Sequence, residues 1–96
     1  MSVSTPEIDI RIPTILRPYT GGEKSVQASG ATLSAVIEDL ERRFPGMGER
    51  LLEDGKLRRF VNVYLNDEDV RFIGSLDAVI SSGDSLTILP AVAGGS

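Results

Sequence analysis

No cysteine, histidine or tryptophan occurs among these 96 residues. Without cysteine there is no disulfide, no iron–sulfur cluster and no thiol nucleophile. Without histidine the usual zinc sites and the Ser–His and Cys–His dyads are excluded as well. Only carboxylates, lysines, tyrosines and hydroxyls are left for side-chain chemistry, which disfavours an enzyme in its own right and favours a binding or carrier protein. Positive charge is also scarce: ten basic residues against fourteen acidic ones give a net charge of −4. Nucleic acid and anionic membranes both need a basic footprint, so neither is expected as a partner. No apolar run approaches the roughly 20 residues of a membrane span. The opening M-S-V-S-T-P-E-I-D-I carries no basic-then-apolar leader, so the expected location is cytoplasmic.

The residues that are present describe one small domain over 1–96. Hydrophobic residues at 41% and charged residues at 25% suit a soluble chain with a single modest core. Ile8, Ile10 and Ile12 alternate with Asp9 and Arg11, the period of a strand with one buried face. Pro13 and Pro18 close that strand, Thr20-Gly21-Gly22-Glu23 is turn chemistry, and Lys24 to Ser29 alternates again, which predicts a hairpin. Leu33, Val36, Ile37, Leu40 and Phe44 fall on one helical stripe, with Thr32 as N-cap and Phe44-Pro45-Gly46 as stop. Glu38–Arg42 and Asp39–Arg43 are spaced for ion pairs on that helix.

Residues 47–59 read as a short helical turn followed by a polar loop, and 60–66, F-V-N-V-Y-L-N, as the strongest strand. Residues 66–69 are expected to turn into a short strand over Val70-Arg71-Phe72. Leu76 to Ile80 is a brief helical or irregular link, and Ser85 to Leu89 the last strand. Tyr19, Phe60, Tyr64 and Phe72 are read as core or edge packing, with Tyr64 a candidate for the open sheet face. The order predicts an α+β fold, a mixed sheet of four to five strands packed on one main helix.

Pro90 is expected to break the final strand, leaving residues 90–96, P-A-V-A-G-G-S, as an extended, flexible tail that reaches roughly 23 Å. A terminal Gly-Gly is by itself an ordinary frayed end. This tail, however, leaves a buried strand directly, so its base is fixed. Glycine lacks a Cβ, which lets a main chain thread a narrow tunnel and approach reacting groups. Val92 supplies one apolar anchor. The pattern suits presentation of a C-terminal carboxyl group to another protein's active site.

The β-β-α-β-β-β order together with G-D-S-L-T-I-L-P-A-V-A-G-G (83–95) resembles the MoaD/ThiS sulfur carriers, which are ubiquitin-like β-grasp proteins. The blocks I-P-T-I-L-R-P (12–18), F-V-N-V-Y-L-N-D-E-D-V-R-F (60–72) and I-L-P-A-V-A-G-G (88–95) are similar to the actinobacterial branch of that family, which serves cysteine synthesis. The resemblance implies a protein co-substrate with no bound cofactor. An E1-like adenylating and sulfurtransferase enzyme would use Mg-ATP to activate the carboxylate of Gly95, and a sulfur donor would convert it to a thiocarboxylate. Gly94, Ala93, Val92 and Pro90 would be read as the tail. A sulfur-accepting synthase, either a PLP-dependent cysteine synthase using O-phosphoserine or a thiosugar synthase, would take the sulfur. Molybdopterin and thiamin are further acceptors in the family, and in the cysteine branch a zinc metalloprotease frees the product. The resemblance also implies an apolar contact patch on the sheet near the root of the tail, for which Leu65 and Leu89 are the candidates by position, with Val92 beside them.

Ser96 departs from the pattern, because activation needs Gly95 to be last. It is a natural extension removed by a metalloprotease, a residue added by cloning, or a mimic of an aminoacyl adduct; the sequence does not choose. Two other functional readings use the same residues: a ubiquitin-like modifier conjugated to lysines, and a non-catalytic β-grasp subunit. The basic run Lys56-Leu57-Arg58-Arg59 is read as a solvated loop, and Asp67-Glu68-Asp69 as a turn lacking metal-loop spacing. Gly21-Gly22 lacks the rest of a phosphate loop, and Ser81-Ser82-Gly83-Asp84 is a turn with no base nearby in sequence.

Overall fold

In the computed structural model, which describes residues 6–59 and 61–90, the isoleucine alternation forms strand β1 (Glu7–Arg11). Its Ile8 and Ile10 are buried while Glu7, Asp9 and Arg11 face solvent. β1 pairs antiparallel with β2 (Ser25–Ser29), so the expected hairpin is present. The connection is a 3₁₀ segment, Thr14–Thr20, closed by Gly21 at φ 69°. That left-handed backbone favours glycine, and Gly22 follows at φ 90°.

The helical stripe becomes α1 (Leu33–Arg43), which buries Leu33, Val36, Ile37 and Leu40 against the sheet. Thr32 Oγ1 accepts from the Ala35 N–H at 3.3 Å, the N-cap expected from sequence. Asp39 accepts from the Arg43 Nε at 2.9 Å, but Arg42 lies 3.7 Å from Asp39 and forms no pair with Glu38. Asp39 also accepts from the Ser29 N–H at 2.9 Å, and Arg43 Nη1 donates to the Gln27 carbonyl at 2.8 Å. These contacts tie the far end of α1 to β2. Gly30 permits the chain to enter α1 at all, since a Cβ there would lie 2.5 Å from the Val36 nitrogen.

Residues 47–59 hold more order than expected. Helix α2 (Met47–Leu51) is followed by a two-residue ribbon, β3 (Leu52–Glu53) with β4 (Lys56–Leu57), closed by Asp54 and Gly55 at positive φ. Strand β5 (Val61–Leu65) follows, then a two-residue turn in which Asn66 and Asp67 take φ 53° and 74°. That mirror-image turn brings β6 (Glu68–Asp69) back against β5 at once. The strand expected over Val70-Arg71-Phe72 is instead a 3₁₀ turn. Asp69 Oδ1 accepts from the Arg71 N–H at 2.9 Å, so the aspartate caps a turn where alternation suggested extension. Phe72 is 84% exposed and is not core or edge packing. The 76–80 link holds a 3₁₀ turn over Ser75–Asp77, and Val79 bridges to Thr32.

The last strand, β7, runs Ser85–Pro90 and includes the proline expected to end it. Pro90 pairs with Val61 in the last rung among the described residues. The five-stranded sheet has the order β2-β1-β7-β5-β6, with β1 and β7 parallel and the other pairs antiparallel. This mixed sheet on one main helix is the β-grasp architecture implied by the resemblance. Its core joins Ile8, Ile10, Val63, Leu86 and Ile88 from the sheet to Val36, Ile37 and Leu40 from α1.

Candidate functional site: the root of the C-terminal tail

β7 is the central strand, held on one side by β1 through Asp9–Arg11 with Ser85–Thr87 and on the other by β5 along its whole length. The tail therefore departs from the most constrained strand of the sheet. The turn before β7 is fixed by Asp84, whose Oδ2 accepts from the Ser81 N–H at 2.7 Å and whose Oδ1 accepts from Asn66 Nδ2 at 2.9 Å. Asn66 completes the link by accepting from the Ser85 N–H at 3.0 Å. The Gly83-Asp84 pair of the terminal motif is thus structural: it sets where β7 begins.

Alternation decides which side chains of β5 and β7 are accessible. Leu86 and Ile88 face the core, while Ser85, Thr87 and Leu89 face outward. Leu89 is 45% exposed, opposite Asn62 on β5, and Tyr64 stands half-buried opposite Thr87 on the same outer face. Leu65, the other patch candidate, is 7% exposed and belongs to the core. Val63 and Leu65 are two residues apart and both point inward, whereas Asn62 and Tyr64 point out. The outer patch is accordingly Leu89 with Tyr64. Pro90 is placed as the last rung of β7, and Val92, Ala93, Gly94, Gly95 and Ser96 lie outside the described residues.

Two features were missed in the sequence. Arg71 clamps the start of β5, donating to the Val61 carbonyl at 2.6 Å, to the Arg58 carbonyl at 3.0 Å and to Asn62 Oδ1 at 3.0 Å. The only sequence signal was an aspartate two residues earlier. The second feature is a groove beside the last rungs of β7, where β1 ends and the 3₁₀ segment crosses. Arg11, Arg17 and Lys24 line it; the run that drew attention, Lys56 to Arg59, instead meets Glu53, with Arg58 at 3.6 Å. Among the described residues, no group of three or more acidic, histidine or cysteine side chains could hold a metal, and no helix is long and apolar enough to cross a membrane.

Residues 10–95 match the ThiS family, including the tail that the fold anchors. The chain belongs to this family. A relative, the sulfur carrier protein CysO of Mycobacterium tuberculosis, is 64% identical over 91 residues, covering 92% of this chain and 98% of its own. CysO of Amycolatopsis orientalis, solved in complex with BexX, is 60% identical with a TM-score of 0.88, covering 92% of this chain and 99% of that one. The small archaeal modifier protein 3 of Haloferax volcanii is 32% identical over 92 residues, 93% of this chain and 99% of its own. The chain thus stands among the ubiquitin-like sulfur carriers of the ThiS family, and its Leu89 patch lies on the strand that carries the family's tail.

Proposed function

We propose that this protein is a sulfur carrier whose Gly95 carboxylate, once Ser96 is removed, is activated by an E1-like enzyme and converted to a thiocarboxylate. The observation that supports this reading is the placement of β7: the strand that immediately precedes the Gly94-Gly95 stretch in sequence is the central strand of the sheet. A free carboxylate is a poor electrophile. Attack of its oxygen on the α-phosphorus of Mg-ATP releases pyrophosphate and leaves an acyl adenylate, whose AMP is a good leaving group. Hydrosulfide sulfur then attacks the carbonyl carbon, the bond to AMP breaks, and the terminus carries –COS⁻. The protein acts as co-substrate, with ATP and magnesium held by the partner.

The acceptor that fits best is cysteine synthesis from O-phosphoserine on a PLP-dependent synthase, supported by the 64% identity to CysO. The complex of the Amycolatopsis relative with BexX supports an interacting partner enzyme. A zinc metalloprotease would complete the route by cleaving after Gly95. The test is the intact mass of Gly95-ended protein after incubation with the activating enzyme, Mg-ATP and sulfide. The expected gain is that of one oxygen-to-sulfur exchange. Gly95→Ala places a Cβ beside the reacting carbonyl and should lower activation about 100-fold; turnover equal to the native tail would overturn the reading.

A second reading is favoured by the likeness to an archaeal modifier protein: conjugation of the same tail to lysines. Isopeptide-linked species in cell extracts would separate it from the carrier reading.

A further inference from the structure

We infer that the groove beside the root of the tail docks an acidic segment of the enzyme that takes the tail. The inference rests on the carrier reading above and adds the chemistry by which the partner is selected. β1 has no rung with β7 beyond Arg11–Thr87, and the chain turns away through Ile12 and Pro13 into the 3₁₀ segment. The departure leaves a groove of about 500 Å³ against Ile88 and Leu89, the residues just before the tail.

Its charged lining is of one sign. Arg11, Arg17 and Lys24 are the only ionisable side chains among the described residues that line it, in a protein whose net charge is −4. Arg11 lies on the outer face between Ser25 and Thr87, so two strands hold it in place. Arg17 is oriented by donating its Nε to the Ile12 carbonyl at 3.2 Å, which leaves the rest of its guanidinium for a partner. Among the described residues none of the three forms an ion pair, as is true of Arg50, Lys56 and Arg59 elsewhere, whereas Arg42, Arg43, Arg58 and Arg71 are paired. Ile15 at 64% exposure and Leu89 at 45% add apolar surface. The arrangement fits carboxylates flanking an apolar side chain.

An acidic carrier and an acidic rim would repel at long range. Screening confines that repulsion to about 8 Å at physiological salt, so the local cations govern the docked pose. Three cations on an acidic body are a poor footprint for nucleic acid, whose binding scales with the number of phosphates neutralised. The groove is fixed to the strand that precedes the tail in sequence, so pairing there sets how the body of the carrier is oriented on the enzyme.

The test uses Gly95-ended protein and the E1-like adenylating enzyme of the source organism, read by ATP–pyrophosphate exchange. Arg11→Glu with Lys24→Glu should raise the KM for the carrier about tenfold, leave kcat and the melting temperature unchanged, and flatten the salt dependence of KM. The neutral pair Arg11→Gln with Lys24→Gln should give a smaller rise in the same direction, and it decides the matter if the reversed pair does not fold. Lys56→Glu, an acidic change outside the groove, should leave KM as it was. Exchange by the native protein with KM unchanged in both groove variants overturns the inference and leaves the carrier reading standing. An equal rise with Lys56→Glu overturns it too, by showing a net-charge effect. Binding of single-stranded RNA, lost in the groove variants, would reassign the surface and overturn the inference. Absence of exchange with the native protein removes the carrier reading and the inference with it.

Discussion

Two grooves of similar size and opposite charge lie on different sides of this molecule. One, of about 500 Å³, sits beside the tail root and is lined by Arg11, Arg17 and Lys24; the other, of about 400 Å³, lies between α1 and α2 and is lined by Glu38, Glu41, Glu49 and Asp54. They differ in what holds their charges. Glu41 is committed to the fold: its carboxylate accepts from the Gly46 N–H at 3.1 Å and from the Gly48 N–H at 2.7 Å. Those amides belong to the corner where α1 ends and α2 begins, and an anion near a helix start also favours the local dipole. The cations of the other groove satisfy no comparable set of backbone groups. One charge of the acidic groove, Glu41, is thus taken up in closing a helix corner, and its hydrogen-bond partners distinguish it from a charge left open for a partner.

Substitutions can break that contrast. Glu41→Ala should cost about 2 kcal/mol, because it orphans two partly buried amides at the corner. Thermal unfolding should shift down by roughly 10 °C, while activation per folded molecule stays unchanged. Gly48→Ala asks less: its Cβ would lie 2.9 Å from Glu41 Oε1, an oxygen held by the corner amides, and 3.2 Å from Glu41 Cβ. A loss of about 1 kcal/mol in chemical denaturation is expected, and it should shrink in the Glu41→Ala background, where the obstructing oxygen is gone. Leu89→Ala, on the other side, should change stability by no more than about 0.5 kcal/mol, since the side chain is 45% exposed. Its effect should appear as a higher KM in activation; a large loss of stability instead would place Leu89 with the core.

The residues whose neighbours in sequence are also their neighbours in space were readable in advance. The alternation of Ile8 and Ile10, the stripe from Leu33 to Phe44 and the Thr32 cap each reflect a local period or a local hydrogen bond, and each appears as expected. The strand at Val70–Phe72 failed for a local reason of another kind: the Asp69 side chain competes for the backbone and wins a turn. Leu65 failed because the face a strand turns to the core depends on its register, and a one-residue choice moves the side chain between faces. The tail motif was legible down to Gly95, yet the groove beside it was not. Arg11, Arg17 and Lys24 are scattered over fourteen positions of sequence and show no charge run.

The sequence by itself determined the β1–β2 hairpin, the main helix with its Thr32 cap, the strands β5 and β7 and the Gly94-Gly95 motif, because composition, periodicity and terminal motifs are properties of neighbouring residues. It also placed the chain, by resemblance, in the family that the match over residues 10–95 establishes. Only the tertiary structure decided that β7 is the central strand, that Leu89 is open while Leu65 is buried, and that three distant cations meet at the root of the tail. These depend on which strands pair and in what register, and pairing is set by burying the whole apolar set together, a condition that no short window of sequence contains.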